Sequence, residues 1–193
     1  MFDMDRIMGV ITLKAPIYRQ IADDQTATNQ AAIIVVLAMI VRGFFSGLLK
    51  VSADGALGVS VVGAIIGAII ILILGLLGWA VAAWVLQFVA GLFGGKTNTG
   101  EMMRVTGYVQ VFSLVAVLNI LALISPVLLC VVGLIGFVVL ILSIIGYIIG
   151  VREAAEFSTG NAVITAIIAA IVNFVIVGVI GGAVLAAITP MVG

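Results

Sequence analysis

The chain has 193 residues, of which 65% are hydrophobic and 8% are charged, and its eight basic and eight acidic side chains leave no net charge. Soluble domains average about 25% charged residues, so this composition excludes a water-soluble enzyme, a basic nucleic-acid-binding protein and a disordered chain. It predicts an all-α integral membrane protein, built as a bundle of membrane-spanning helices.

Residues 1–30 form a polar N-terminal segment that holds seven of the sixteen charged side chains. Four of its apolar residues recur at the spacing of one helix face: Met4, Ile7, Met8 and Ile11. Asp3 is placed to cap that helix, and Pro16 suits the first turn of a second short helix. We predict that both helices lie at the membrane surface. Packing of the same faces on the transmembrane bundle is an equally good alternative.

Residues 31–193 are predicted to form the transmembrane domain. Its five predicted spans are residues 31–49, 59–93, 105–124, 127–151 and 162–188. The second apolar run has 35 residues, which as a helix would reach roughly 50 Å, well beyond the ~30 Å hydrocarbon core. It is too short for two full spans, so we predict one long helix, with a break near Gly75 or Gly78 as the alternative. Trp79 and Trp84 are expected to mark the headgroup layer.

Polar segments separate the spans and set the predicted orientation. Residues 94–104 (GGKTNTGEMMR) and 152–161 (REAAEFSTGN) are predicted loops, and Ser125-Pro126 is a predicted tight reversal. With the N-terminus in the cytoplasm, the inner segments carry six basic residues and the outer segments carry only Lys50. This bias predicts a cytoplasmic N-terminus and an external C-terminus.

Arg42 is the only charged residue inside a predicted span. A charged side chain inside the bilayer costs free energy and usually has a structural or functional role. Arg42 is therefore a candidate for contact with a partner or a lipid phosphate, with snorkelling to the outer surface as the alternative. Three neutral amides also lie in the spans and are predicted to bond between helices: Gln87, Asn119 and Asn173.

Small residues recur four apart along the spans, a spacing that puts both on one helix face and lets two helix backbones approach closely. The pairs are Gly63/Gly67, Gly91/Gly95, Gly146/Gly150, Gly178/Gly182 and Ala166/Ala170. These faces are predicted to pack within one bundle. The alternative is that one of them contacts a second copy or another membrane protein, which makes Gly63, Gly67, Gly146, Gly150, Gly178 and Gly182 candidate interaction residues.

Reactive side chains are scarce. The chain has no histidine and one cysteine, Cys130, which argues against haem, His/Cys zinc and Ser-His-Asp sites. Cys130 is expected to be a small buried hydrophobe. Three carboxylates near the predicted inner surface, those of Glu101, Glu153 and Glu156, match no metal motif and are interpreted as a solvated, partly ion-paired loop. No catalytic residue, cofactor or metal is therefore predicted.

Three stretches resemble the Yip-domain family of Ypt/Rab-interacting membrane proteins. They are GVITLKAPIYRQIADD with QAAIIVVLA, then AAWVLQFVAGLFGGKTNTGEMMRVTGYV, then GVREAAEFSTGNAVITAII. The resemblance implies five spans, no enzymatic activity, a role in membrane traffic or membrane shape, and contact with prenylated Rab-type GTPases. GTPase binding rests on this resemblance alone. The short N-terminal segment is similar to prokaryotic members, which implies a prokaryotic inner membrane as the location.

The sequence therefore predicts a non-enzymatic multi-pass plasma-membrane protein acting as a scaffold, an accessory subunit or a membrane-organising or trafficking factor. Its expected partners are the lipid bilayer and a second copy or another membrane protein, with no nucleic acid. The alternative is a transporter or channel for an ion or small molecule, which would need a polar path lined by Arg42, Gln87, Asn119 and Asn173.

Overall fold

A computed structural model describes residues 3–51, 57–125 and 127–192. Five helices in the described chain are long and apolar enough to cross a membrane. They confirm the prediction of an all-α membrane bundle. The described elements add two short helices before the first span and a two-stranded hairpin after it.

The N-terminal segment forms the two predicted short helices, α1 (Met4–Ile11) and α2 (Ala15–Asp23). The Asp3 carboxylate accepts the backbone N–H groups of Asp5 and Arg6 at 3.1 and 3.2 Å, so it caps α1 as expected. Pro16 lies in the first turn of α2, where its missing N–H costs nothing.

The first two spans are α3 (Ala27–Leu48) and α4 (Val61–Leu92). An antiparallel hairpin of β1 (Leu49–Val51) and β2 (Leu57–Val59) joins them, whereas no strand was predicted between the first two spans. Helix α4 is continuous over 32 residues. The prediction of one long helix is confirmed, and the alternative break near Gly75 or Gly78 does not occur.

The third span begins inside a segment predicted as a loop. Helix α5 (Thr99–Val109) continues as a 3₁₀ segment (Gln110–Leu123). Asn98 and Glu101 form a reciprocal capping box, in which the Asn98 side-chain oxygen Oδ1 accepts the Glu101 backbone N–H at 3.0 Å and a Glu101 carboxylate oxygen accepts the Asn98 backbone N–H at 3.3 Å. These local bonds start the helix at Thr99, so Glu101 is helical and not part of a loop.

The last two spans are also longer than the apolar runs suggested. Helix α6 (Leu128–Ala155) extends past residue 151 and ends where Glu156 adopts a left-handed φ of 55°. Helix α7 (Thr159–Val192) begins three residues later. The predicted loop at residues 152–161 therefore shrinks to residues 156–158. The predicted reversal at Ser125-Pro126 stays a prediction, because Pro126 lies outside the described residues.

The large buried side chains concentrate at the end of the bundle that carries α1 and α2. Tyr18, Met102 and Tyr108 are fully buried there. By contrast, the outer faces of α4, α6 and α7 expose large apolar side chains, among them Ile69, Phe137 and Phe174. A protein surface this apolar would be unstable in water, so these faces fit a lipid environment.

Two predictions about individual side chains need correction. Trp79 is only 8% exposed and its indole N–H donates to the Thr106 hydroxyl at 3.0 Å, so it faces the bundle and does not mark a headgroup layer. Trp84 is 58% exposed and stacks on Phe88. Cys130 is exposed on the first turn of α6 and is not the buried residue that was expected.

Candidate functional site

Helices α1 and α2 form a layer, here called the N-terminal layer, that is packed on α5 and α6. Tyr18 of α2 is fully buried and its hydroxyl donates to the Val10 backbone oxygen of α1 at 3.0 Å. A Cβ at Gly146 would lie 2.7 Å from the Tyr18 hydroxyl, and one at Gly150 would lie 3.4 Å from the ring. These two glycines therefore make the space on α6 into which the tyrosine fits.

Arg104 joins the N-terminal layer to α5. Its side chain is buried at 6% exposure, although the sequence placed it in a loop. Its Nε donates to the backbone oxygen of Ala22 at 3.0 Å, and its Nη2 donates to the same oxygen. Ala22 lies in the last turn of α2, where helix carbonyls lack internal partners and carry partial negative charge. The guanidinium thus caps α2 from another helix.

Ion pairs surround this buried contact. Arg19 of α2 pairs with Asp23 at 2.8 Å and with Glu156 at 2.6 Å, and it also donates to the backbone oxygen of Glu153. The contact with Glu156 ties α2 to the end of α6. Glu153 itself pairs with Arg152 at 2.6 Å. Two of the three carboxylates predicted to lie in a loop, those of Glu153 and Glu156, thus form an ion-paired rim of the N-terminal layer, whereas Glu101 caps α5.

A second pair holds α1 against the segment that leads into α3. Arg6 binds Asp24 at 2.6 Å and Asp3 at 3.1 Å. Hydrogen bonds from Thr26 and the Arg6 guanidinium lower the pKa of the Asp24 carboxyl to about 2. Within the described part of the chain, no group of three or more His, Cys, Asp or Glu side chains could hold a metal ion.

The α4–α5 connection lies at the same end. The backbone N–H of Lys96 donates to the Ala155 oxygen at 2.9 Å, which fixes this connection to the end of α6. The Thr99 hydroxyl donates to the side-chain oxygen of Gln87, so α5 is bonded to α4. Gln87 is therefore one amide that bonds between helices as predicted.

The glycine pair of α4 packs within the chain. A Cβ at Gly63 would lie 2.5 Å from the Gly47 oxygen, and one at Gly67 would lie 2.5 Å from the Gly43 oxygen. Helices α3 and α4 therefore meet backbone to backbone. Gly43 and Gly47 show the same four-residue spacing but were not among the predicted pairs. An additional contact of Gly63 or Gly67 with another molecule stays a prediction, as it does for Gly146 and Gly150.

The glycine pair of α7 differs. A Cβ at Gly178 would meet no described atom within 4 Å, and the residue is exposed. Gly182 belongs to the part of α7 whose surroundings the structure does not describe. Gly178 thus leaves a small-residue position open on the outside of the bundle.

In the part of the chain that the structure describes, the four polar residues considered for a transport path are not brought together in one of the main cavities. Arg42 is exposed and lines a groove of about 240 Å³ with Ser113 and Ser143. Asn119 donates to the Ala116 oxygen of its own helical segment at 2.9 Å, and it makes no side-chain bond to another helix among the described residues. Asn173 lines a separate cavity of about 470 Å³ with Tyr147, and its Oδ1 has no hydrogen-bond partner in the described chain.

Comparison with known proteins agrees with this architecture. No curated protein and no solved structure matches the chain. The family model for the Yip1 domain matches residues 8–180, which include the N-terminal layer from the middle of α1 onward, the first four apolar helices and α7 up to residue 180. This match covers most of the sequence, so the chain is a multi-pass membrane protein that belongs to the Yip1-domain family.

Proposed function

We propose that this protein is a non-enzymatic membrane-organising scaffold whose N-terminal layer lies on the cytoplasmic leaflet of the plasma membrane. One observation carries the proposal. Met4, Met8 and Ile11 form an apolar ridge on α1 and are 60%, 53% and 38% exposed. Gly9 and Val10 of the same helix are buried against the protein. A helix that is fixed on one side and apolar on the free side suits the bilayer interface.

The charged side chains of the layer support a structural role. The bonds of Arg104 and Arg19 fix α2 to α5 and to the end of α6, and the ion pair of Arg6 with Asp24 fixes α1. The ridge therefore keeps a fixed direction relative to the spans. The excess of basic residues in the same segments supports a cytoplasmic position, with the C-terminus external.

Membership of the Yip1-domain family supports action through association. The proposed partners are the bilayer, a second copy of the chain or another membrane protein, and Rab-type GTPases in the sense that the family resemblance implies. The open position at Gly178 offers a place where another helix could approach.

The position of the ridge can be tested with single-cysteine variants of the full chain in a Cys130→Ser background. A fluorophore at Met8→Cys is expected to be quenched strongly by brominated lipids in nanodiscs, because residue 8 faces the acyl chains. Asp5→Cys is the matched control, since Asp5 is exposed on the same helix but away from the ridge. Equal, weak quenching at both positions would contradict the proposal.

A further inference from the structure

Arg42 occupies an unusual place in a membrane helix. It lies 15 residues after the start of α3 and six residues before its end at Leu48, or roughly 22 Å and 9 Å along the helix axis. Its side chain opens into a groove between α3, the 3₁₀ segment and α6, here called the Arg42 groove. The groove is therefore within the depth of the spans.

The charge of Arg42 is not balanced by the described residues. No ion pair and no hydrogen bond joins its guanidinium to any of them. Its groove is otherwise lined by apolar groups and two hydroxyls, those of Ser113 and Ser143. A guanidinium in such surroundings is costly unless an anion accompanies it.

The chemistry of the groove selects the anion. A guanidinium presents a planar set of N–H donors that matches two phosphate oxygens. The Ser143 hydroxyl makes no hydrogen bond with a described residue and can donate to a third oxygen, whereas the Ser113 hydroxyl already donates to the Gln110 side chain at 2.9 Å. Apolar residues such as Phe112, Val139 and Leu140 complete the lining and suit acyl chains.

We infer that the Arg42 groove binds an anionic phospholipid, with the lipid phosphate on Arg42 and Ser143 and the acyl chains along the apolar lining. The bilayer that surrounds the spans supplies this ligand, and the exposed face of Arg42 lets it enter laterally. Simple snorkelling of Arg42 to water would need neither a serine nor a preference for one lipid.

The test uses the full chain in detergent and measures retained lipid by native mass spectrometry, with phosphatidylglycerol and phosphatidylcholine as competing probes. The wild type is expected to prefer phosphatidylglycerol, and Arg42→Gln is expected to reduce that preference about tenfold or more. Arg152→Gln is the matched control, because Arg152 pairs with Glu153 at the other end of the bundle.

Two further variants test whether the lipid preference depends on Ser143 and not on a nearby carboxylate. Ser143→Ala is expected to weaken the preference with little effect on folding. Asp54→Asn removes a carboxylate from the segment after α3, outside the described residues, and is expected to leave the preference unchanged. The inference is overturned if Arg42→Gln retains the wild-type preference, if Asp54→Asn abolishes it, or if millimolar inorganic phosphate displaces the lipid completely.

Discussion

Gly47→Ala is expected to be one of the most destabilising single substitutions in this protein. A Cβ at residue 47 would overlap the backbone oxygen of Gly63 and lie 2.5 Å from its carbonyl carbon. Backbone cannot rotate away as a side chain can, so α3 and α4 must separate and lose their shared contact. We expect a loss of about 3 kcal/mol or more, at the upper end of overpacking effects, measured by reversible unfolding in detergent.

Gly133→Ala is the control for that substitution. Gly133 lies on α6, and a Cβ there would meet nothing within 4 Å. Alanine also favours the helix, so the change is expected to stay within about 1 kcal/mol. If Gly47→Ala and Gly133→Ala unfold alike, close backbone contact is not what holds the first two spans together.

Arg104→Met should release the N-terminal layer. Methionine has a similar length but no donor, so the Ala22 oxygen at the end of α2 loses both of its bonds from the guanidinium. Hydrogen bonds to charged groups contribute about 1.5–3 kcal/mol, and a buried carbonyl left unpaired adds a further cost. We expect a loss of about 3 kcal/mol, with faster hydrogen exchange concentrated in α2.

Arg152→Met is the control for Arg104→Met, because it also removes one basic residue but breaks no bond to α2. Arg152 pairs with its neighbour Glu153 on the rim, and its side chain is 31% exposed. Partly exposed pairs of this kind contribute little, typically below about 1 kcal/mol. Unchanged exchange protection of α2 in Arg104→Met would show that the layer is held by other contacts.

Much of the fold follows from patterns that are local in sequence. The apolar runs identified all five long helices, and Asp3 and Pro16 marked the starts of α1 and α2 because caps act through neighbouring residues. The start of α5 was missed, although its signal was also local. Asn98 and Glu101 have the spacing of a capping box, but the surrounding glycines and charges favoured a loop.

The contacts of the candidate site were less accessible from sequence, because they depend on residues that are distant in the chain. The bond from Arg104 to Ala22 spans 82 positions, and no periodicity links the two. Trp79 was expected at a headgroup layer because tryptophan favours that layer. Its indole N–H instead donates to the Thr106 hydroxyl on a neighbouring span, which holds the ring inside the bundle. By contrast, the four-residue spacing of Gly43 and Gly47 can be read from the sequence, whereas the helix against which they pack cannot.

We propose that this protein works by association with other membrane components and not by catalysis. Native mass spectrometry of the full chain, extracted from its own membrane in mild detergent and diluted in steps, tests it most directly. We expect a homo-oligomer, or a complex of fixed composition with another membrane protein, that persists on dilution. A monomer at every concentration would contradict it.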